Sequence, residues 1–133
     1  MHNDELYQKF PALFRQTKLK RHESCMYYGI ECGAGWMPLI HDMSEELSKI
    51  DGIEYAQIKE KFAHLRVYLD YADSVSKEDI AKCHEIISKY EGLSSTTCEI
   101  CGKEAKLCRS TSGWLSTLCD EHRHEKEMSY VTQ

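Results

Sequence analysis

The strongest constraint on this chain is a spacing. Cys98-Glu99-Ile100-Cys101-Gly102-Lys103 is answered, after an interval of 17 residues beyond Cys101, by Cys119-Asp120-Glu121-His122. Two donors two residues apart project from one tight turn, so two such pairs supply four donors that close a tetrahedral Zn2+ site with no open position. A closed site reads as a structural cofactor site, with Cys98, Cys101, Cys119 and His122 as ligands; full coordination argues against water activation by the metal. His124 competes with His122, and Cys108 is an alternative thiolate inside the interval; the two-residue spacing favours His122. Gly102 permits the tight knuckle conformation. Between the pairs, Lys106–Ser110 and Trp114–Leu118 can form a hairpin around Ser112-Gly113, and Asp120 onward is helix-compatible. Knuckle, hairpin, then ligands at a helix start predict a treble-clef-like or ribbon-like zinc finger over 94–133. Three thiolates and one imidazole leave the ion a formal charge of about -1, which Lys103, Lys106, Arg109 or Arg123 could offset.

The metal reading also organises the cysteines. Seven is an odd number, and removal of three ligands leaves Cys25, Cys32, Cys83 and Cys108. That pattern suits a reducing cytoplasm better than a disulfide framework. No window approaches a membrane span, and Met1–Glu5 has neither a basic nor an apolar leader region, so a cytoplasmic protein without membrane contact is expected. The net charge of -5 does not favour tight, sequence-independent nucleic-acid binding. Charge is uneven, however. Residues 1–22 carry Lys9, Arg15, Lys18, Lys20 and Arg21 against Asp4 and Glu5, while residues 42–60 hold six acids and two lysines.

Residues 1–93 have their own apolar pattern and predict an α+β core of helices packed on a β-hairpin. Leu6, Phe10, Leu13 and Phe14 lie at helical spacing, with Asn3 or Asp4 as N-cap and a break at Pro11. The basic run Arg15–His22 reads as a solvated connector. Trp36, Leu39, Ile40, Met43, Leu47 and Ile50 form the stripe of a second helix stopped by Gly52. From Ile53 to Tyr71 the period changes to two: Leu65, Val67, Leu69 and Tyr71 share one face and Arg66, Tyr68 and Asp70 the other, with a turn near Lys61–His64. Ser76 with Asp79 forms a capping box for a third helix presenting Ile80, Cys83, Ile87 and Tyr90, ended by Gly92. Ser94–Thr97 reads as a linker to the finger.

Candidate binding residues are fewer. The turn Gly33-Ala34-Gly35-Trp36 feeds a helix N-terminus and could cradle an anion with backbone N–H groups. It is shorter than a P-loop or a dinucleotide fingerprint, and a structural turn anchored by Trp36 is the favoured reading. Lys59, Lys61 and Arg66 surround the hairpin turn, where cross-strand ion pairs compete with an anionic ligand or a partner. A second metal site from His22, Cys25, Cys32 and His41 lacks a convincing spacing. A Cys–His nucleophile from Cys32 and His41 or Cys83 and His84 has no geometry in its favour.

Several of these stretches together resemble a family of small, uncharacterised proteins of tailed bacteriophages and prophages. They are Phe10–Arg15, Glu31–Ile40, Gln57–Tyr68, Cys98–Gly102 and Gly113–His122. Ala63-His64 departs from the family's Gly-Gly turn. The resemblance implies a phage protein acting in a bacterial cytoplasm and brings no activity with it. Size, a closed metal site and that likeness lead to the expectation of a non-enzymatic binding or regulatory module. Its partner would be a host or phage protein, for example in inhibition of a host defence system. The alternative expectation is a nucleic-acid or nucleotide-binding module using Lys18, Lys20, Arg21, Lys59, Lys61, Arg66 and the Gly33–Gly35 turn. A hydrolase or nuclease ranks third, for want of a convergent set of ionisable residues.

Overall fold

In the computed structural model, which describes residues 2–132, helices and strands follow the two periodicities of the sequence. Met1 and Gln133, the outer ends of the expected 1–93 and 94–133 units, lie outside the described residues. The order is α1 (Asn3–Lys9), β1 (Ile30–Glu31), α2 (Met37–Leu47), β2 (Ile53–Lys61), β3 (His64–Tyr71), α3 (Lys77–Ser94), β4 (Lys106–Arg109), β5 (Leu115–Leu118), α4 (Asp120–Glu125) and β6 (Ser129–Tyr130). Three 3-10 turns intervene, at Arg15–Lys18, Cys25–Tyr28 and Ala34–Trp36. The class is α+β, with two small sheets ordered β1-β2-β3 and β5-β4-β6.

The hairpin β2–β3 is the centre of the first sheet. Its inner face buries Ile53, Tyr55, Ile58, Leu65 and Val67, and α2 and α3 cover them with Ile40, Met43, Leu47, Cys83, Ile86, Ile87 and Tyr90. Tyr55, fully buried, shares a 2.7 Å hydrogen bond with the buried Ser44 hydroxyl. Register is direct except for a bulge between Tyr55 and Gln57, so Lys59 faces Arg66 and Lys61 faces His64. The two-residue turn is Phe62-Ala63, both at positive φ (52° and 70°), the sign pattern of the type I′ turn that suits strand twist. The left-handed pair therefore sits one residue earlier than Ala63-His64. A second apolar cluster (Cys98, Ala105, Cys108, Leu118, Cys119 and Met128) forms around the second sheet.

Several local expectations are corrected. His2, rather than Asn3 or Asp4, is the N-cap of α1, and its side chain makes no cap bond. The segment Arg15–Lys18 is packed rather than a free connector: Gln16 is buried, and its amide donates to Glu54 (3.0 Å) and Asp70 (2.7 Å). Beside it the Arg15 guanidinium donates to both Glu54 oxygens. Trp36 precedes α2 and Ile50 follows it. Gly92 does not end α3, because hydroxyls of Ser94, Ser95 and Thr97 donate to the carbonyls of Glu91, Gly92 and Leu93 and finish the helix beyond it. The Ser/Thr run is thus a helix terminus, not a linker. Strands β1 and β6, two residues each, are too short for a periodicity to announce them.

Candidate metal centre

The knuckle is built by its own backbone. Gly102 N–H donates to Cys98 O (2.9 Å) and Cys98 N–H to Lys103 O (2.8 Å), with Gly102 at φ 83° completing the turn. Cys119 is the N-cap of α4, so His122 falls in its first turn and reaches back towards the knuckle. The four donor atoms of Cys98, Cys101, Cys119 and His122 lie within 4.8 Å of one another. Cys101 Sγ is 3.7 Å from Cys119 Sγ, and His122 Nδ1 is 3.6 Å from Cys98 Sγ and 3.2 Å from Cys119 Sγ. Bonds of about 2.3 Å to sulfur and about 2.0–2.1 Å to nitrogen give a tetrahedron with edges of about 3.8 Å between sulfurs and about 3.6 Å from sulfur to nitrogen. The donor set therefore fits one metal ion. His124 instead meets Arg123 and Asp120, and the buried Cys108 thiol donates to Lys106 O; neither joins the cluster.

The knuckle also prepares charge. Burial raises the Cys98 thiol, but N–H groups of Cys119, Cys101 and Ile100 outweigh it and bring its pKa down to about 6. Hydrogen bonding to Cys119 and Cys98 lifts His122 against the opposing effect of burial. Such N–H contacts keep a thiolate ready for a cation.

The knuckle and the glycine turn are one contact. Gly33 N–H donates to the Glu99 carboxylate (2.9 Å), Gly35 N–H to Glu99 O (2.7 Å), and Trp36 Nε1–H to Thr97 O (2.8 Å). Trp36 and Gly35 are buried there. A Cβ on Gly35 would stand 2.6 Å from the Glu99 carbonyl and closer still to that of Cys98. The Gly33 and Gly35 donors thus meet an anion and a carbonyl of the chain itself, and the spacing alone did not reveal that Glu99 would supply them. Cys32, beside this contact, is pushed up to about 12 by burial and by Glu99 and Glu60.

Lys59, Lys61 and Arg66 lie on the outer face of the hairpin, and Lys59 is the register partner of Glu31, two residues before Gly33. Lys59 and Arg66 are half-buried and Lys61 is exposed, with its ammonium 5.7 Å from the Phe62 ring centre. The hairpin tip rests on the metal module through Thr117 Oγ1, which donates to Ala63 O (2.8 Å). At this junction Phe62 and Trp114 stand 68% and 69% exposed across a groove of about 380 Å³, lined also by Glu60, Lys61, Gly113 and Leu115. Neither aromatic was singled out from the sequence, because exposure of an aromatic is a tertiary property. Among the described residues, no helix is long and apolar enough to cross a membrane. Comparison with family models, curated proteins and solved structures returned no match.

Proposed function

We propose that the chain is a small, non-enzymatic binding module in which a Zn2+ clamp holds two hairpin tips together as a recognition surface. Zinc suits three thiolates and one imidazole at tetrahedral distances, and a treble-clef-like finger suits a knuckle followed by a hairpin and a helix-borne pair. With all four positions filled by protein, the metal's role is structural. The observation that carries the binding role is the pairing of Phe62 and Trp114. Large aromatics left in water at a rigid junction match the anchors of recognition surfaces. The resemblance to phage proteins supports a regulatory role on a host or phage component in the bacterial cytoplasm.

A photo-crosslinking residue placed at Phe62 or at Trp114 in cells tests this reading. Adducts are expected from both positions and not from Glu78, an exposed residue in the first turn of α3, at the end of the hairpin away from its tip. Tip positions that crosslink no better than Glu78 would end the proposal. Metal analysis of the purified protein should find one zinc per chain, lost in Cys101→Ser.

A further inference from the structure

Resting on that reading, we propose that the partner is a single-stranded nucleic acid, lying along the outer face of β2–β3 from Tyr68 past Lys59 and Arg66 to Phe62 and Trp114. It is held through its phosphates and base faces.

The first observation is an uncompensated charge pair. Lys59 and Arg66 are direct cross-strand partners, so both project from the same face. Like charges directly opposite destabilise a sheet. The carboxylate ion pairs formed by lysine and arginine among the described residues use Lys9, Arg15, Lys89, Lys103 and Arg123, and none takes Lys59, Lys61 or Arg66. Glu31 neighbours Lys59 in register without reaching ion-pair distance, and Glu60 is turned to the Ala63 N–H of the turn. Glu91, which borders a groove with Arg66 and Tyr68, is likewise turned to a backbone donor, the Val67 N–H, so the nearby acids leave the three cations without an ion pair. At the other end of the hairpin Glu54 and Asp70 are held by Arg15 and Gln16. An anionic partner would relieve the repulsion that folding leaves in place.

The second observation is aromatic. Tyr68, two residues beyond Arg66 and on the same face, is 48% exposed, and Phe62 and Trp114 flank Lys61 at the tip. Cations interleaved with exposed rings, in a strip roughly 20 Å long at about 3.3 Å per strand residue, suit unpaired bases stacked on side chains. Duplex bases offer no free faces to such rings. A protein partner accounts for both the rings and the cations only if its own surface is acidic, and the crosslinking arm of the test separates that case. The net charge of -5 does not oppose this locally. Asp42, Glu45 and Glu46 belong to α2, which covers the opposite face of the sheet, so a helix layer of about 10 Å separates them from this one, a Debye length at 0.1 M salt. The phosphates and base faces that the cations and rings would contact are common to DNA and RNA, so both kinds of strand should bind.

The test uses the zinc-loaded full chain and fluorescein-labelled oligo-dT and oligo-U of roughly 12 nucleotides, with a duplex of equal length, read by anisotropy. Three phosphate contacts give a logarithmic salt slope of about -2, so affinity for both strands should fall roughly 20-fold between 50 and 200 mM salt. Lys59→Glu and Arg66→Glu should each remove measurable binding. Trp114→Ala should weaken it at least about fivefold, the lower end for a stacked base. Phe62→Asn should do the same while keeping the turn, because asparagine tolerates the left-handed conformation. No binding at low salt, a flat salt response, or equal binding of the duplex would each overturn the inference. If the tip positions crosslink a protein in cells while the oligonucleotides fail, the inference falls and the recognition surface stands. If the tips crosslink nothing, both fall.

Discussion

Gly35→Ala tests the junction between core and metal module with a single methyl group. Gly35 does not need glycine for its φ; it needs glycine for space, because a Cβ would press to 2.6 Å from the Glu99 carbonyl and deeper into that of Cys98. Both obstacles are backbone atoms of the knuckle, so neither can swing away as a side chain would. Overpacking of this kind costs about 1–3 kcal/mol. If the knuckle retreats, the 2.7 Å bond from Gly35 N–H to Glu99 O is lost as well, leaving a buried donor unpaired at about 1–3 kcal/mol. The expected loss is about 2–6 kcal/mol, a large fraction of the ~5–15 kcal/mol that holds a domain folded. Gly92→Ala is the matched control. A Cβ there meets nothing within 4 Å in α3, and replacing a helical glycine should add about 0.5–1 kcal/mol. Urea unfolding of zinc-saturated protein, followed by circular dichroism, measures both. A zinc competition titration should show weaker metal affinity for Gly35→Ala alone. If that variant unfolds within about 0.5 kcal/mol of the parent, inside ordinary surface-substitution scatter, and binds zinc equally well, the knuckle does not bear on the glycine turn.

Three further outcomes are expected. Chelation in a Trp114→Phe background should red-shift the emission of Trp36, which is fully buried with its Nε1–H bonded to Thr97 O; an unchanged spectrum and melt after proven metal removal would count against the clamp. Ser44→Ala strands the buried Tyr55 hydroxyl and should cost about 1–3 kcal/mol by thermal melt, while Ser44→Ala with Tyr55→Phe should cost less than the two singles together. Hydrogen bonding from Arg15 lowers the pKa of Glu54 despite partial burial, and Gln16 adds to this. Its ionised form therefore stabilises the fold above the unfolded value of 4.5, and that contribution is lost as pH falls through the lower folded value. The stability deficit of Glu54→Gln should accordingly shrink on acidification; a deficit constant from about pH 7 to about pH 3 would exclude this origin.

The sequence made the metal cluster and the hairpin visible because both depend on spacing. A C-x2-C turn fixes its donors whatever surrounds it, and alternation from Leu65 to Tyr71 survives because one face is buried. What stayed hidden was set by long-range contact. The Gly33–Gly35 turn has the composition of an anion cradle, yet its donors go to Glu99, a residue 66 positions from Gly33. Arg15–Lys18 looks solvated by composition, yet Gln16 is drawn in by two carboxylates of the hairpin. Helix α3 outlasts Gly92 because hydroxyls after it take the terminal carbonyls. Phe62 occupies a left-handed turn position where Asn or Gly would be expected. A local rule broken at an exposed aromatic directs attention to that residue.

The two contacts that join the halves act at different places. Glu99, between ligands Cys98 and Cys101, holds Gly33 and Gly35 and so sets the entry to α2, while Thr117, two residues before ligand Cys119, seats the hairpin tip through Ala63. Each ligand pair therefore carries one contact to the core, and closing the metal tetrahedron fixes both at once. The groove between Phe62 and Trp114 draws one wall from each half, so a metal bound at the cluster would set its width although no ligand residue lines it. On the proposed reading the metal and the partner stabilise the same arrangement from opposite sides. Each must then raise the other's affinity by an equal factor, which makes a structural ion a determinant of recognition without any contact between ion and partner.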